Sequence, residues 1–486
     1  MNSGATLAAA PSPTRSRSFA LAGTFGILAA VTACVAFIPH IGIVAVSALY
    51  LCAFLGYMGL RSDSQGGYLF EVIVPLSVLS FFCFAAGTVY LVLDPTALQN
   101  PELGPYLLAA EALTTLGYVC LLVGYGGAFR ATAPSPIGRF VPRNVLVYLV
   151  PGVLGMIGMS LQKFQSEGML NDQGVSPALS FFQQFGPVFN FGWFLAWYML
   201  WAKQLRRSVA IPLLSILSAM AVVVLIFTFG GKGLAVTMIG LPALAYYEVK
   251  RKLPLKSIAV VVLVFVFGIF PMYNAFRQVD RNLAMSRRVD QAFSLTRTWN
   301  SDKYMDASLF AFMKRMSITT SVAAIVSDTG RWVDYRYGET LVLAPIGLFI
   351  PRFLWPEKPN LSIGKEFGAT FRLIGDMDRE TYISPSMIGD FYWNFSIPGV
   401  VLGMWLMGLG YRWYYQRYGA GQGFDPIRKS VYYTLLPTAL AFEGNVAFVV
   451  VSFIKVLGIL VIFLLVFRRL GWLGETADAE TIGDLR

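Results

Sequence analysis

RWVDYRYGETLVLAPIGLFIPRFLWPEKPN, residues Arg331–Asn360, is basic, aromatic and punctuated by proline. It lies at the centre of the longest part of the chain without a clean membrane-type run, from about Phe276 to Thr381. That part carries 15 Lys/Arg and 12 Asp/Glu, more than a third of the chain's charge in about a fifth of its length. The sequence on either side is nearly all apolar. This contrast decides the fold class: a charged segment between hydrophobic runs is a surface element carried on a membrane-embedded frame.

Of 486 residues, 56% are hydrophobic and 13% charged, against about 25% charged in a soluble globular protein. The apolar runs are long enough to cross a hydrocarbon core of about 30 Å as helices. The pattern predicts an all-α polytopic membrane protein of about 12 spans. They fall near 19–38, 41–60, 69–93, 106–127, 144–161, 187–202, 209–228, 233–247, 256–275, 385–411, 431–450 and 451–467. Three parts follow: a membrane bundle over 1–275, a large loop over 276–384, and C-terminal helices with a tail over 385–486. The polar arm before the first run, with Arg15 and Arg17, is expected to be retained, because the run lacks a small-residue cleavage site.

The short loops alternate in charge. One set holds 19 Lys/Arg, among them Arg61, Arg143, Lys250, Arg412 and Arg468, against only Asp63, Glu248 and Asp425. The other holds Asp94, Glu102, Glu167 and Asp172, with Lys163 and Lys232 at or near it. The positive-inside rule makes the first set cytoplasmic, both termini included, and places the 276–381 segment outside. Topology therefore accounts for most of the +11 net charge, and nucleic-acid binding is not needed to explain it. It does not account for the 15 basic residues of the outer loop, for which anion binding is the natural role.

The four cysteines sit in apolar runs, where they behave as small hydrophobes, and His40 is the only histidine. No metal-ligand spacing occurs, and no metal or cofactor is expected. FTFGGKG, Phe227–Gly233, does not match a phosphate-binding P-loop.

Within the loop, 307–327 is apolar at both ends with Lys314 and Arg315 in the middle. Two charges at mid-bilayer are costly, so an amphipathic helix on the outer surface is expected. Residues 341–350, interrupted by Pro345, predict a re-entrant or interfacial segment; if both pieces crossed instead, the total would be fourteen spans. Arg352 and Lys358 stand on a stretch stiffened by Pro351, Pro356 and Pro359, and suit either a phosphate or lipid headgroups beside Trp355. Arg336 and Tyr337, with Asp334 and Glu339, form either a ligand site or a local ion network. Arg287/Arg288 and Lys314/Arg315 are two dibasic pairs able to face a lipid phosphate. Lys232, after Gly230 and Gly231, is an anion-binding candidate at the outer end of a span. Asp390, in SPSMIGDFYWNF (Ser384–Phe395), is either a general base or the partner of an arginine.

Pro351-Arg352, then WPEKP, then Gly364, with Arg336-Tyr337-Gly338 upstream and SPSMIGDFYWNFSIPGVVLGMWLMGLG (384–410) downstream, resembles the Wzy-type polymerases of bacterial surface polysaccharides. A span ending in Gly-Gly-Lys-Gly adds to it, and the likeness is best over roughly 225–410. One departure stands out: where the family pattern expects Phe-Gly, this chain has Phe395-Ser396 before Ile397-Pro398-Gly399. The resemblance implies an inner-membrane protein with the large loop in the periplasm. It implies an inverting, metal-independent glycosyltransferase that polymerises undecaprenyl-pyrophosphate-linked oligosaccharides into O-antigen, capsule or exopolysaccharide. A chain-length regulator often works beside such enzymes. On this reading Arg352, Arg315, Arg336 and Lys232 stabilise the pyrophosphate leaving group and Asp390 takes the acceptor's proton. Tyr335, Tyr337, Trp355 and Tyr392 stack on sugars, and the 307–327 segment covers the entry of carrier lipid.

An O-antigen ligase shares the setting, but ligases of that type use a periplasmic histidine, and His40 lies far from the loop. A transporter or flippase would use the same cationic surface without chemistry, and an envelope scaffold would tolerate its loss.

Overall fold

The computed structural model describes residues 41–65, 70–94, 98, 100–126, 140–166, 181–227, 232–252, 255–279, 285–343, 346, 363–375, 381–420 and 424–475. The structure is mostly helical. In chain order the helices are α1 (Ile41–Gln65), α2 (Ile73–Leu93), α3 (Pro101–Gly126), α4 (Leu146–Ser166), α5 (Phe189–Trp201), α6 (Arg207–Phe227) and α7 (Lys232–Lys250). They continue with α8 (255–278), α9 (Met285–Arg297), α10 (301–316), α11 (Thr319–Asp328), α12 (Gly364–Thr370), α13 (Ser386–Tyr414), α14 (Pro426–Ala439) and α15 (Val446–Arg469). The one sheet among the described residues is a short antiparallel ribbon, β1 (Phe140–Pro142) with β2 (Leu473–Glu475).

Four helices among the described residues are long and apolar enough to cross a membrane: Ile73–Leu93, Pro101–Gly126, Ser386–Gly419 and Val446–Arg469. Gly42–Tyr57, Leu146–Leu161, Arg207–Val222 and Val262–Phe276 are shorter apolar helices. The predicted span at 19–38 lies outside the described residues.

Two expectations are corrected. The last two spans do not divide at 450/451: α14 ends at Ala439 and α15 begins at Val446. The turn falls at Glu443-Gly444-Asn445, a short polar break that window-averaged hydropathy smooths over. Residues 307–327 are not one surface helix. α10 ends at Met316, and the Ile318 N–H donates to the Cys83 carbonyl before α11 starts. Val322, Ala323, Ala324 and Ile325 of α11 are all buried. An interfacial helix must keep one face towards lipid, whereas the small side chains of α11 let it pack inside.

The chain gathers into two compact units, each built from segments distant in sequence. The first comprises residues up to 129, 314–412 and 442–447. In it α3 packs against α1, α11 and α13. Its closest approach has no room for a side chain: a Cβ on Gly124 would run into the Trp405 carbonyl, and one on Gly408 into the Leu121 carbonyl. Helices that meet in an apolar medium gain little from the hydrophobic effect and rely on this kind of close backbone contact. At one end of the unit Glu71 accepts from Tyr125 and pairs with Arg412 at 3.3 Å.

The second unit comprises 130–313, 413–441 and 448–486. Here α5 is wrapped by α4, α7 and α14. Lys429 and Glu248 form a buried pair at 3.4 Å, completed by the Tyr433 hydroxyl on Glu248 at 2.6 Å and by Lys429 donating to the Gly419 carbonyl at 2.7 Å. β2 pins the end of α15 to the segment before α4, and Arg468 lies over the Phe140 ring at 5.4 Å.

Candidate functional site

The first unit brings the loop after α11 onto the N-terminal half of α13. The loop turns because Tyr337 and Gly338 both take positive φ, 47° and 91°, a conformation easy for glycine and unusual for tyrosine. The turn is held from within. Asn394 accepts from the Gly338 N–H at 2.9 Å, and its amide donates to Thr340 Oγ1 at 2.7 Å and to the Asp390 carbonyl at 2.8 Å.

Asp390 is fully buried at the centre. Its Oδ1 accepts from the Thr340 hydroxyl at 2.8 Å and from Asn394 Nδ2 at 3.1 Å. Its Oδ2 accepts from the Val446 N–H at 2.9 Å. Val446 opens α15, so the carboxylate caps that helix from a neighbouring one, where the exposed N–H groups and helix dipole favour negative charge. The backbone N–H groups of Ser386 and Met387 donate to the Glu443 and Phe442 carbonyls at 3.1 and 3.0 Å and fasten the same turn. Asp390 thus ties three stretches together, and both of its oxygens are engaged in doing so.

Arg336 sits on this base. Its N–H donates to the Trp393 carbonyl at 3.1 Å, and its guanidinium lies over the Trp393 ring at 4.1 Å. The ring is fixed by its own N–H, which donates to the Asp334 carbonyl at 3.2 Å, and by Phe367 and Phe371 packed against it. Glu366 pairs with the guanidinium, and Glu339 lies at 3.9 Å; both carboxylates are more than half exposed. On the same loop Trp332 is 84% exposed and Tyr337 77% exposed. Arg331 is also held in place: it donates to the Tyr106 hydroxyl at 2.8 Å. The result is a cation on a rigid aromatic bed, rimmed by carboxylates, with projecting rings on the same loop.

The helix beneath is broken. Phe395 and Ser396 leave the helical region, and Ser396 takes φ 55°, ψ −150°, a combination that is essentially glycine's. Ser396→Gly should therefore relieve strain of about 1–3 kcal/mol, less about 0.4–1 kcal/mol for the freer unfolded chain, and raise the melting temperature. Unchanged or lower thermal stability in detergent would count against a strained serine here.

Of the residues singled out in the sequence, Arg336, Tyr337, Asp390 and Tyr392 come together here. Tyr392 is half-buried, close to Tyr335 and Ser396. Lys314 is exposed near the end of α10. Arg287 and Arg288 belong to the second unit, where Arg287 is exposed and Arg288 covers the Phe276 ring at 4.2 Å. Lys232 opens α7 and Arg315 lies in α10, with side chains outside the described atoms. Arg352, Trp355 and Lys358 lie outside the described residues. Sequence reasoning missed Thr340, Asn394, Glu366 and Trp332 as site members. Asn394 carried a signal, four residues after Asp390 on one helix face. Glu366 carried none, since only the fold brings it to Arg336.

A family profile described as a domain of unknown function (DUF8712) matches residues 178–463, more than half of the chain. The chain belongs to the DUF8712 family. The matched stretch holds every residue of the Asp390–Arg336 cluster except Arg331's partner Tyr106. No curated protein and no solved structure matches this DUF8712 chain.

Proposed function

We propose that this protein is a membrane glycosyltransferase that polymerises undecaprenyl-pyrophosphate-linked oligosaccharides at the outer face of the bacterial inner membrane. The observation that carries the reading is the Arg336 loop: a preorganised guanidinium with exposed aromatic rings on the same loop, at one end of helices apolar enough to cross a bilayer. A pyrophosphate gains negative charge as it leaves, and fixed cations at its position are worth several kcal/mol. Glu366 and Glu339 occupy Arg336 in the absence of such a ligand and yield it to the phosphates. Trp332 and Tyr337 present faces on which sugar rings stack.

Sidedness has support in the first unit. Arg412, assigned to the cytoplasm by charge, meets Glu71 and Tyr125 at one end. Arg331 meets Tyr106 near the start of α3, and Asp390 meets the first residue of α15 from near the start of α13; these are the ends of α3 and α13 opposite Tyr125 and Arg412, on the outward-facing side by the same count. On this reading Asp390 holds the loop in position, and the carboxylates open to an acceptor hydroxyl are Glu339 and Glu366.

The test is a reconstitution with a lipid-linked repeat unit from the protein's own host. A ladder of products with release of undecaprenyl pyrophosphate is expected from wild type. Arg352→Ala, which removes the arginine of the family-like Pro-Arg motif, should lower it by about a hundredfold or more. No ladder, but protein-dependent passage of the lipid across a liposome bilayer, would replace this reading with a transporter.

A further inference from the structure

A line of polar side chains runs through the apolar interior of the first unit, where α1 and α2 meet α3. Tyr50 stacks on Tyr118 with ring centres 4.2 Å apart. Tyr118 donates to Ser77 at 2.7 Å, Ser77 to the Ile73 carbonyl at 2.6 Å, and Tyr50 to Ser80. These hydroxyls all have partners. Glu111 breaks the pattern. It is fully buried; Ser47 of α1 donates to its Oε1, while its buried Oε2 has no hydrogen-bond partner among the described residues. One turn further along the same face of α3, the buried Oγ1 of Thr115 also has none.

Among the described residues no opposite charge is at hand. α1 has no charged residue between Ile41 and Leu60, and α2 has none. Glu111 is the only one between Leu107 and Gly126. Against α3, α11 brings only Asp328, which accepts from Ser327. α13 brings Asp390, engaged as above, and Arg412, paired with Glu71. Arg331 is held at the Tyr106 hydroxyl. A bare carboxylate closed into an apolar helix interface is too costly to persist, and intramembrane carboxylates of this kind mark ion or proton sites.

We propose that Glu111 and Thr115 form a site for a single positive charge, taken up as a sodium ion or as a proton. The free donors are hard oxygens without nitrogen or sulfur, which suits a hard cation. One carboxylate balances one charge, and a divalent ion would leave a net charge in the interior. The site lies outside residues 178–463 and does not depend on the transferase reading.

Thermal unfolding of the full chain in detergent tests it, in sodium-free choline buffer, with sodium added in one arm and pH lowered from mildly alkaline to mildly acidic in the other. Wild type is expected to gain roughly 2–4 °C in at least one arm beyond any gain of Glu111→Gln, which is uncharged and of the same shape. A sodium response that weakens in Thr115→Val identifies the ion; a pH response that Thr115→Val retains identifies the proton. Identical responses of wild type and Glu111→Gln in both arms would overturn the proposal. So would a Glu111→Gln protein that melts well below wild type in alkaline choline buffer, because the carboxylate would then have a partner within the protein. Neither readout depends on catalysis.

Discussion

Asp390→Ala is expected to destabilise the first unit by about 3–5 kcal/mol, the cost of stripping the acceptor from several buried donors at once. The Thr340 hydroxyl, the Asn394 amide and the Val446 N–H all lose their common partner, and α15 loses its cap. With total stabilities of roughly 5–15 kcal/mol, that loss should show as a large fall in melting temperature and in monodisperse yield. Asp390→Asn is milder: it keeps the shape and one acceptor, but turns either an N–H or a carbonyl towards Val446, at about 1–3 kcal/mol. The pair of variants separates two roles. A general base replaced by asparagine would leave a protein that melts like wild type and does not turn over. A positioning carboxylate predicts a graded fall in stability from Asp to Asn to Ala, with activity following it.

Arg336→Ala is expected to lower polymerisation by about 10²–10³-fold, the usual loss when a preorganised donor to a developing oxyanion is removed. Stability should change far less than for Asp390→Ala. The backbone N–H of residue 336 still meets the Trp393 carbonyl, and Trp393 remains packed by Phe367 and Phe371. What is lost is one cation over one ring and two ion pairs with half-exposed carboxylates, and such pairs are worth little. Arg336→Lys should recover part of the rate, because a point charge replaces the planar fork. Turnover that is untouched in Arg336→Ala, with the ladder intact, would remove the loop from the site.

How much of this was legible in sequence varies from residue to residue. The apolar runs at 69–93 and 106–127 read directly as helices, found at Ile73–Leu93 and Pro101–Gly126, because their length and hydropathy are local properties of the chain. Arg336, Tyr337 and Asp390 were visible as charged or aromatic residues in unusual company. Asp390's function was open between a base and a partner, and the neighbours decided the geometry: its donors come from residues 50 before, four after and 56 after. The expectation of an arginine partner is met by hydroxyl and amide donors instead. The buried path of α11 was likewise invisible, since Lys314 and Arg315 close to it suggested a surface helix, while its own small residues fit against α3.

The sequence alone determined that this is a helical chain with membrane-type segments and a charged, aromatic stretch between them, because hydropathy and charge are summed along the chain. Only the tertiary structure decided that Asp390 is a buried tie, that Glu366 meets Arg336 across 30 residues, and that Glu111 is left with an oxygen unpaired among the described residues. Those outcomes depend on which donors arrive from distant segments, and no local pattern carries that information.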